Sequence, residues 1–320
     1  MRDKIQTHLM KLGDLNEAIN LWQEQAQYFN AGKTIYPFWA NKNERIEKYL
    51  VSAITSGNAF TAKQNERLVG FITCDIFEFH SSLSSICHDI GNAAAIENRQ
   101  QIYLSLYNAL SEHCVSKGVL SHYIGICHDD SEAREILFNL GFGAYVVFAQ
   151  AQFSKAMSFT SGYDIGPAVI SDAEEIFELY CESQRYFLSP PVFLKLPSCD
   201  LDRIEEKIKE NNVYVAKDNG KVIGIWDLEA AQEDSGYGLQ SKGDVLVCNE
   251  IGAYIKEEYR GKNIGVDFIK IVSDFCIENN IKCAHVPWET SNPYANKFWR
   301  KYFTPVTLAL KRVIHLDVTV

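Results

Sequence analysis

The sequence of 320 residues lacks the features that mark several large protein classes. It has no basic excess, because 31 Lys and Arg stand against 41 Asp and Glu, and the net charge of −10 argues against general nucleic-acid binding. It has no apolar run near the roughly 18 residues of a transmembrane helix, and its N-terminal stretch lacks the unbroken apolar segment of a signal peptide. We therefore expect a soluble, cytoplasmic protein with neither a membrane nor a nucleic acid as partner.

The cysteines form no motif, although there are nine of them. None occurs as Cys-x-x-Cys, and most lie in apolar stretches such as ITCDI and LVCNE. Isolated cysteines in apolar surroundings are typical of reduced, buried thiols in a cytosolic protein. His122 and His128 lie six residues apart without a third ligand at suitable spacing, so the sequence predicts no metal site.

The two halves of the chain repeat each other in outline. Residues 12–29 and 170–187 both read as a helix that ends in Tyr-Phe, and residues 59–76 and 213–230 both read as a hairpin. A Ser- and Gly-rich stretch at 154–168 separates them, so we predict two domains, 1–158 and 159–320. The order of elements, β–α–(α)–β–β–β–α–β–α–β, predicts an α/β (α+β) fold with a mixed sheet in each half.

One loop carries the clearest chemical signal. EEYRGKNIG (257–265) follows a predicted strand at 245–255 and precedes an amphipathic helix that starts near residue 266. Free N–H groups at a helix N-terminus, together with Arg260 and Lys262, would attract a phosphate. The loop chemistry alone leaves two interpretations open, a phosphate site or a Gly-bearing turn that binds nothing.

A second segment, NPYANKFWRKYF (292–303), makes the loop more specific. Together the two segments resemble the landmarks of the GCN5-related N-acetyltransferases (GNAT): Arg/Gln-x-x-Gly-x-Gly/Ala after the fourth strand, then Asn-x-x-Ala-x-x-Phe. Arg260, Asn263 and Gly265 fill the first pattern, and Asn292, Ala295 and Phe298 fill the second. Asn263 replaces a glycine, which is a mild departure because Asn tolerates left-handed backbone.

The resemblance implies two tandem GNAT-like domains, with acetyl-CoA as co-substrate of the second. It also implies that the fourth and fifth strands diverge to admit the pantetheine arm, which would explain why Pro287 is tolerated in the fifth strand. By the same resemblance, the cofactor-binding residues are Tyr254, Ile255, Arg260, Gly261, Lys262, Asn263, Ile264, Gly265, Val266, Asn292 and Phe298.

The first half matches the family less well. Its counterpart of the phosphate loop, AIENRQQIYLSLY (95–107), contains no glycine, and Asp130 replaces the landmark Asn. We therefore expect a degenerate copy that does not bind acetyl-CoA. A further segment, 35–50, carries Tyr36, Phe38 and Trp39, which would line a substrate cleft or pack between the halves.

The resemblance does not supply the catalytic acid, because Trp299 stands where the family often has a Tyr that protonates the leaving thiolate. Tyr302 is our candidate acid, with Tyr294 and Tyr254 as substitutes, each of which ordinary aromatic packing would also explain. Glu250 is the candidate base, or else a solvated carboxylate. His285 is a second titratable candidate on the fifth strand, or else a packed strand residue.

The resemblance predicts an N-acetyltransferase that modifies a primary amine, by default of a small molecule. A non-catalytic protein that binds CoA or a small molecule on the same scaffold is the alternative, and a third possibility is that both halves bind CoA. Asp227 and Glu229 could hold a cationic amine. The sequence leaves open the acceptor and whether the chain is a homodimer or a monomer with two pseudo-symmetric domains.

Overall fold

The computed structural model describes residues 4–30, 43–155, 157–235 and 239–315. The predicted aromatic residues Tyr36, Phe38 and Trp39 lie outside these ranges. None of the described helices has both the length and the hydropathy needed to cross a bilayer.

The described helices and strands alternate in the order expected of a mixed α/β protein. The helices are α1 Leu15–Asn30, α2 Asn43–Thr55, α3 Arg99–Ser116, α4 Ser131–Asn139, α5 Ala173–Leu188, α6 Leu201–Lys209, α7 Ile264–Glu278 and α8 Pro293–Trp299. The strands are β1 Gln6–Leu9, β2 Ala59–Gln64, β3 Arg67–Thr73, β4 Asp75–Phe79, β5 Ser82–Cys87, β6 Asn92–Ala94, β7 Ser121–Cys127, β8 Gly143–Ala151, β9 Asp164–Pro167, β10 Val213–Asp218, β11 Lys221–Ala230, β12 Val245–Val247, β13 Ala253–Ile255, β14 Ala284–Glu289 and β15 Thr304–Val313.

The chain divides into two compact units. The first unit takes in the described residues of Met1–Phe148, Gly236–Leu239 and Pro305–Val320, and the second unit those of Ala149–Ser235 and Gln240–Thr304. The sequence repeat led us to a boundary between residues 158 and 159, which stays a prediction about the duplication. Nearly all of β15 belongs to the first compact unit. There it pairs antiparallel with β7, from Thr307–Cys127 to Val313–Ser121.

The first unit contains a four-stranded sheet in the order β1-β2-β3-β6 and a strand path β4-β5-β7-β15-β8. Its core packs Trp22 of α1, Leu50 of α2 and Phe71 of β3 together, each of them fully buried. The predicted hairpin is confirmed, since β2 and β3 pair antiparallel around Asn65 and Glu66, which both have positive φ.

The second unit contains the strand path β14-β12-β11-β10-β9, with β13 also beside β11. Helix α5 buries Ile176, Leu179 and Tyr180, whose spacing places them on one helical face, against alternate residues of β10 such as Val213 and Val215. The second predicted hairpin is confirmed as β10 and β11, joined through Asn219 and Gly220 at positive φ.

The prediction of one continuous strand at 245–255 was wrong. Two short strands, β12 and β13, take its place, and both pair with β11 on either side of an irregular segment, 248–252. Cys248 has φ +62° and Gly252 has φ +83°, which an extended strand does not permit. The buried Asp227 carboxylate stabilises this segment by accepting the N–H of Glu250 at 2.9 Å and that of Gly252 at 2.7 Å.

Candidate functional site

The loop between β13 and α7 adopts the left-handed backbone that the sequence predicted for Asn263. Asn263 has φ +66° and precedes the first residue of α7, and Gly261 has φ +77°. Within the described part of the chain, the N–H groups of Ile264 and Gly265 bond to no protein acceptor, as is usual at a helix start. The loop therefore presents free donors and the positive end of a 15-residue helix.

Gly265 is required by close packing against α8. A Cβ at this position would lie 2.9 Å from Cε2 and 3.0 Å from Cζ of Phe298. Asn292 sets the start of α8, because its Oδ1 accepts the N–H of Ala295 at 3.1 Å and the hydroxyl of Tyr186 at 3.0 Å. The two sequence landmarks thus meet in space through Gly265 and Phe298.

A cavity of about 490 Å³ opens between these segments, and we call it the cationic cavity. Its lining contains Arg260, Lys297 and Lys301 and no Asp or Glu. Ten of the eleven residues predicted to bind the cofactor line it; Lys262 does not, and its Nζ lies 4.6 Å from the centre of the Tyr259 ring. A positive cavity in a chain of net charge −10 suits an anionic ligand.

Arg260 is held in a fixed position beside this cavity. Its Nε donates to the carbonyl oxygen of Ile255 at 3.1 Å, and its guanidinium carbon lies 5.3, 5.6 and 5.8 Å from the ring centres of Tyr254, Tyr186 and Tyr294. These distances are within the range of cation–π attraction. Burial raises the pKa of Tyr186 and of Tyr254, so both rings stay neutral at physiological pH.

The strands next to the cavity diverge. Strand β12 pairs in parallel with β14 at Val245–Ala284 and Leu246–His285, and in the described ranges β14 makes no pairing with β13. Pro287 lies in β14 beyond this ladder and is exposed, so its missing N–H removes no hydrogen bond from the β12–β14 pairing. The expected divergence of the fourth and fifth strands is confirmed.

A second cavity, of about 450 Å³, is lined by the segment 248–253 and by the end of β14, and we call it the acidic cavity. Its charged lining residues are Asp200, Arg203, Glu250 and Glu289. It shares with the cationic cavity the lining residues Phe187, Ala253, Asn292, Ala295 and Trp299. Two ligands could therefore meet where these five residues lie.

Glu250 lines the acidic cavity, but its pairing makes it a weak base. Arg203 donates to both carboxylate oxygens at 3.1 Å, and Nζ of Lys207 lies 2.9 Å from Oε2. Burial would raise the pKa of Glu250, but the hydrogen bonds from Arg203 and Lys207 outweigh burial and lower it. Glu229 is likewise paired with Lys207, and the Asp227 carboxylate accepts two backbone N–H groups. Neither is therefore placed to receive a substrate amine.

The other two catalytic candidates, His285 and Tyr302, differ in whether they line a cavity. His285 does not face either cavity: it is buried, and its Nε2 lies 2.9 Å from Oδ2 of Asp244. Tyr302 lines the cationic cavity, with its ring centre 5.3 Å from that of Phe298. Trp299 is buried among Trp226, Phe298 and Phe303 at the junction of the cavities.

Three residues at the cavities were missed by reasoning from the sequence. Lys297 and Lys301 line the cationic cavity on the α8 side, and Glu289 lines the acidic cavity at the end of β14. The sequence marks these residues only by their closeness to the second landmark: Glu289 comes three residues before Asn292, and the two lysines lie on either side of Phe298. Charged residues next to a binding landmark are too common to be singled out without a cavity.

Residues 173–303 match the model of the acetyltransferase (GNAT) family. The second unit contains a GNAT acetyltransferase domain. Family and fold support acyl transfer from an acyl-CoA as its general chemistry. None of the curated proteins compared with the chain matches it.

Solved structures extend the GNAT fold over the whole chain. A GCN5-related N-acetyltransferase from Sphaerobacter thermophilus is similar at a TM-score of 0.60 and 10% identity, over 99% of this chain and 98% of that one. The GCN5-related glucosamine N-acetyltransferase region of a fungal multi-domain GH3 β-N-acetylglucosaminidase is similar at 0.54 and 12% identity. That match covers 97% of this chain, which spans 38% of the fungal chain. At these identities the likeness concerns the fold alone.

Proposed function

We propose that the chain transfers an acetyl group from acetyl-CoA to the primary amine of a small molecule, with both ligands bound in the second unit. The observation that carries this proposal is the pair of adjoining cavities of opposite charge, which share five lining residues. The cofactor is polyanionic and the acceptor is a cation before reaction, so each would enter the cavity of complementary charge.

The cationic cavity fits the cofactor through its backbone as well as its charge. Free N–H groups at the start of α7 would receive the pyrophosphate, with Lys297 and Lys301 close by. Strand β13 bonds to β11 along one edge, and the pantetheine arm would lie along the other, where β14 has diverged. Ala253 is small and exposed to both cavities, so it leaves room for the thioester at the junction.

The acidic cavity supports a small acceptor. Its volume of about 450 Å³ lies within the range of roughly 300–1,000 Å³ typical of small-molecule sites. Three carboxylates and one arginine line it, and that arginine is already bonded to Glu250 and Glu206. An ammonium group is therefore favoured over a carboxylate as the charged part of the acceptor.

The reaction needs a neutral amine, a polarised carbonyl oxygen and a proton for the departing thiolate. Trp299 cannot protonate a thiolate, and Tyr302 is the hydroxyl-bearing residue we assign to that step, because it lines the cationic cavity. The backbone N–H of Ile255 would polarise the carbonyl, because the N–H of Lys256 already donates to the carbonyl oxygen of Ile223 on β11 at 3.0 Å and strand residues alternate between the two edges.

Titration calorimetry with acetyl-CoA tests the proposal. We expect about one molecule bound per chain, and we expect Gly265→Leu to abolish binding, because its side chain must displace the Phe298 ring or enter the cavity. The matched control is Gln100→Leu, which places the same side chain at the second residue of α3 in the first unit. If wild-type protein did not bind acetyl-CoA at high micromolar concentration, the proposal would fail.

A non-catalytic protein that binds CoA on this scaffold is the second candidate, and the Trp299 indole at the usual position of the acid favours it. The two candidates differ in thiol release. Free CoA accumulating in proportion to an added amine would support transfer, whereas acetyl-CoA binding without any thiol release across a broad amine panel would support the second candidate.

A further inference from the structure

Among the described residues, Glu289 is the one carboxylate of the acidic cavity that neither pairs with a cation nor caps a helix. Asp200 caps the start of α6 by accepting the backbone N–H of Arg203 at 2.9 Å, and Glu250 is bonded to both Arg203 and Lys207. In the described part of the chain, the Glu289 side chain makes no ion pair and no hydrogen bond to another residue. Its oxygens are thus available to a ligand.

The position of Glu289 is fixed by its backbone. It ends β14, and its carbonyl oxygen accepts the N–H of Asn292 at 3.0 Å in the turn that leads into α8. Asn292 lines both cavities, and the preceding residue, Trp288, is buried and donates to Oδ1 of Asn296 at 2.9 Å. The carboxylate therefore lies next to the junction of the cavities on a well-supported element.

From this geometry we infer that Glu289 is the general base that takes a proton from the acceptor ammonium. The inference rests on the proposed function, in which acetyl-CoA occupies the cationic cavity. Glu289 is half-buried, and burial raises the pKa of its carboxyl, which brings its basicity closer to what deprotonation near neutral pH requires. The pKa of Glu250, the base that the sequence suggested, is lowered instead by its hydrogen bonds to Arg203 and Lys207.

The chemical step balances with the two substrates alone. The ammonium gives one proton to the Glu289 carboxylate, and the neutral nitrogen forms a C–N bond with the thioester carbonyl carbon. The C–S bond then breaks with its electron pair on sulfur. The nitrogen loses its second proton and the sulfur gains one, so the products are an amide, free CoA thiol and one proton released to solvent.

The first experiment requires no acceptor. Carbon-13 NMR of protein labelled at the Glu side-chain carboxyl follows each group with pH, and Glu289→Gln and Glu250→Gln assign the two resonances. We expect Glu289 to titrate above, and Glu250 below, the ordinary Glu range. A Glu289 resonance that titrates at or below that of Glu250 would overturn the inference.

The second experiment measures turnover of acetyl-CoA with 1,4-diaminobutane and with 2-phenylethylamine as probe acceptors. We expect Glu289→Gln to lower kcat about 100-fold, to leave the Kd for acetyl-CoA unchanged, and to remove the acidic limb of the kcat/KM profile. Glu289→Asp should restore part of kcat. Glu278→Gln, an exposed change at the end of α7, is the handling control.

The two failures can be told apart. Loss of acetyl-CoA binding by wild-type protein would refute the proposed function itself. Binding without turnover of either probe, or an acidic limb that persists in Glu289→Gln and disappears in Glu250→Gln, would overturn the role of Glu289 and leave the cofactor site intact.

Discussion

In the second unit β14 diverges from β13, and we call the open space along the free edge of β13 the gap. Ala253 borders this gap, whereas the matching position of the first unit holds Asn92. The match follows from register, because Gly224 pairs with Ile255 in one unit and Gly70 with Ala94 in the other. Asn92 spans its gap: Nδ2 donates to the carbonyl oxygen of Gly125 on β7 at 2.8 Å, and its Oδ1 accepts the hydroxyl of Tyr103 at 2.8 Å.

Arg99 completes this filling in the first unit. It is buried, its Nε donates to Asp130 at 2.9 Å, and its other nitrogens bond to the carbonyl oxygen of Ala94 and to Gln25. The nearby cavity of about 400 Å³ is lined by Asp129, Asp130 and Glu132 besides Arg99, so it would repel a pyrophosphate. The first unit thus satisfies with its own side chains the groups that the second unit leaves open.

The loops before α3 and α7 differ in length but not in their last residue. Four residues, 95–98, join β6 to α3, and eight residues, 256–263, join β13 to α7. Both loops end in a left-handed Asn, Asn98 at φ +57° and Asn263 at φ +66°. The backbone of the helix start is therefore common to both units, and side chains with loop length decide whether a ligand has room.

The comparison predicts that breaking the filled gap has the largest effect on stability. We expect Arg99→Met to lower the free energy of unfolding by about 3–5 kcal/mol, because it leaves the Asp130 carboxylate buried without its partner. Urea unfolding followed by circular dichroism measures this. Arg67→Met, at an exposed residue, is the control. Acetyl-CoA stoichiometry should stay near one, and a second bound molecule would show that Arg99 alone closes the first unit.

Filling the open gap should have the next largest effect. We expect Ala253→Asn to weaken acetyl-CoA binding about 100-fold, or about 2.7 kcal/mol, because the amide would occupy the junction as Asn92 does. Titration calorimetry measures the change, with Ala253→Ser as the smaller matched substitution. Full affinity in Ala253→Asn would mean that the first unit excludes the cofactor by its short loop or its acidic lining instead.

The smallest effect concerns Asp89, which occupies in the first unit the place of Glu250 in the second. Burial raises the pKa of Asp89 to about 6, and in the described residues its Oδ1 has no hydrogen-bond partner. Because the folded state holds the proton more tightly than the unfolded state, Asp89 makes stability fall as pH rises from about 4 to about 6.

Asp89→Asn should therefore flatten stability between those pH values and raise it above pH 7 by up to about 1 kcal/mol. Thermal unfolding across pH measures both effects. Asp227→Asn is the contrasting variant: burial also raises its pKa to about 6, but both of its oxygens accept backbone N–H groups, so we expect lower stability. Equal losses in both variants would contradict this distinction.

The resemblance to the GNAT family led from the sequence to both landmarks and to the divergence of the strands, and the loop itself could be recognised because a helix start has local backbone requirements. Sequence reasoning missed a repeat that the structure makes obvious. Cys87-His88-Asp89-Ile90-Gly91 and Cys248-Asn249-Glu250-Ile251-Gly252 both lie before the short strand that borders the gap. In the second unit, positive φ at Cys248 and Gly252 interrupts the strand. The apolar pattern of the sequence does not show this interruption, so the predicted strand ran through the segment.

The orientation of single side chains could not be predicted in the same way. His285 and Glu289 lie four residues apart on β14, yet His285 is buried against Asp244 and Glu289 opens into the acidic cavity. Glu250 looked like a free base until the structure placed Arg203 and Lys207 of α6 beside it. Such pairings join residues more than 40 positions apart, which no local pattern encodes.

The sequence by itself determined where each helix start and landmark would lie, since left-handed Asn263, close-packed Gly265 and the capping Asn292 act on their nearest neighbours. Only the tertiary structure decided which gap stays open and which carboxylate stays unpaired. Those outcomes depend on what separate elements bring to one place: Asn92, Tyr103 and Arg99 fill the gap in the first unit, and Ala253 leaves it open in the second.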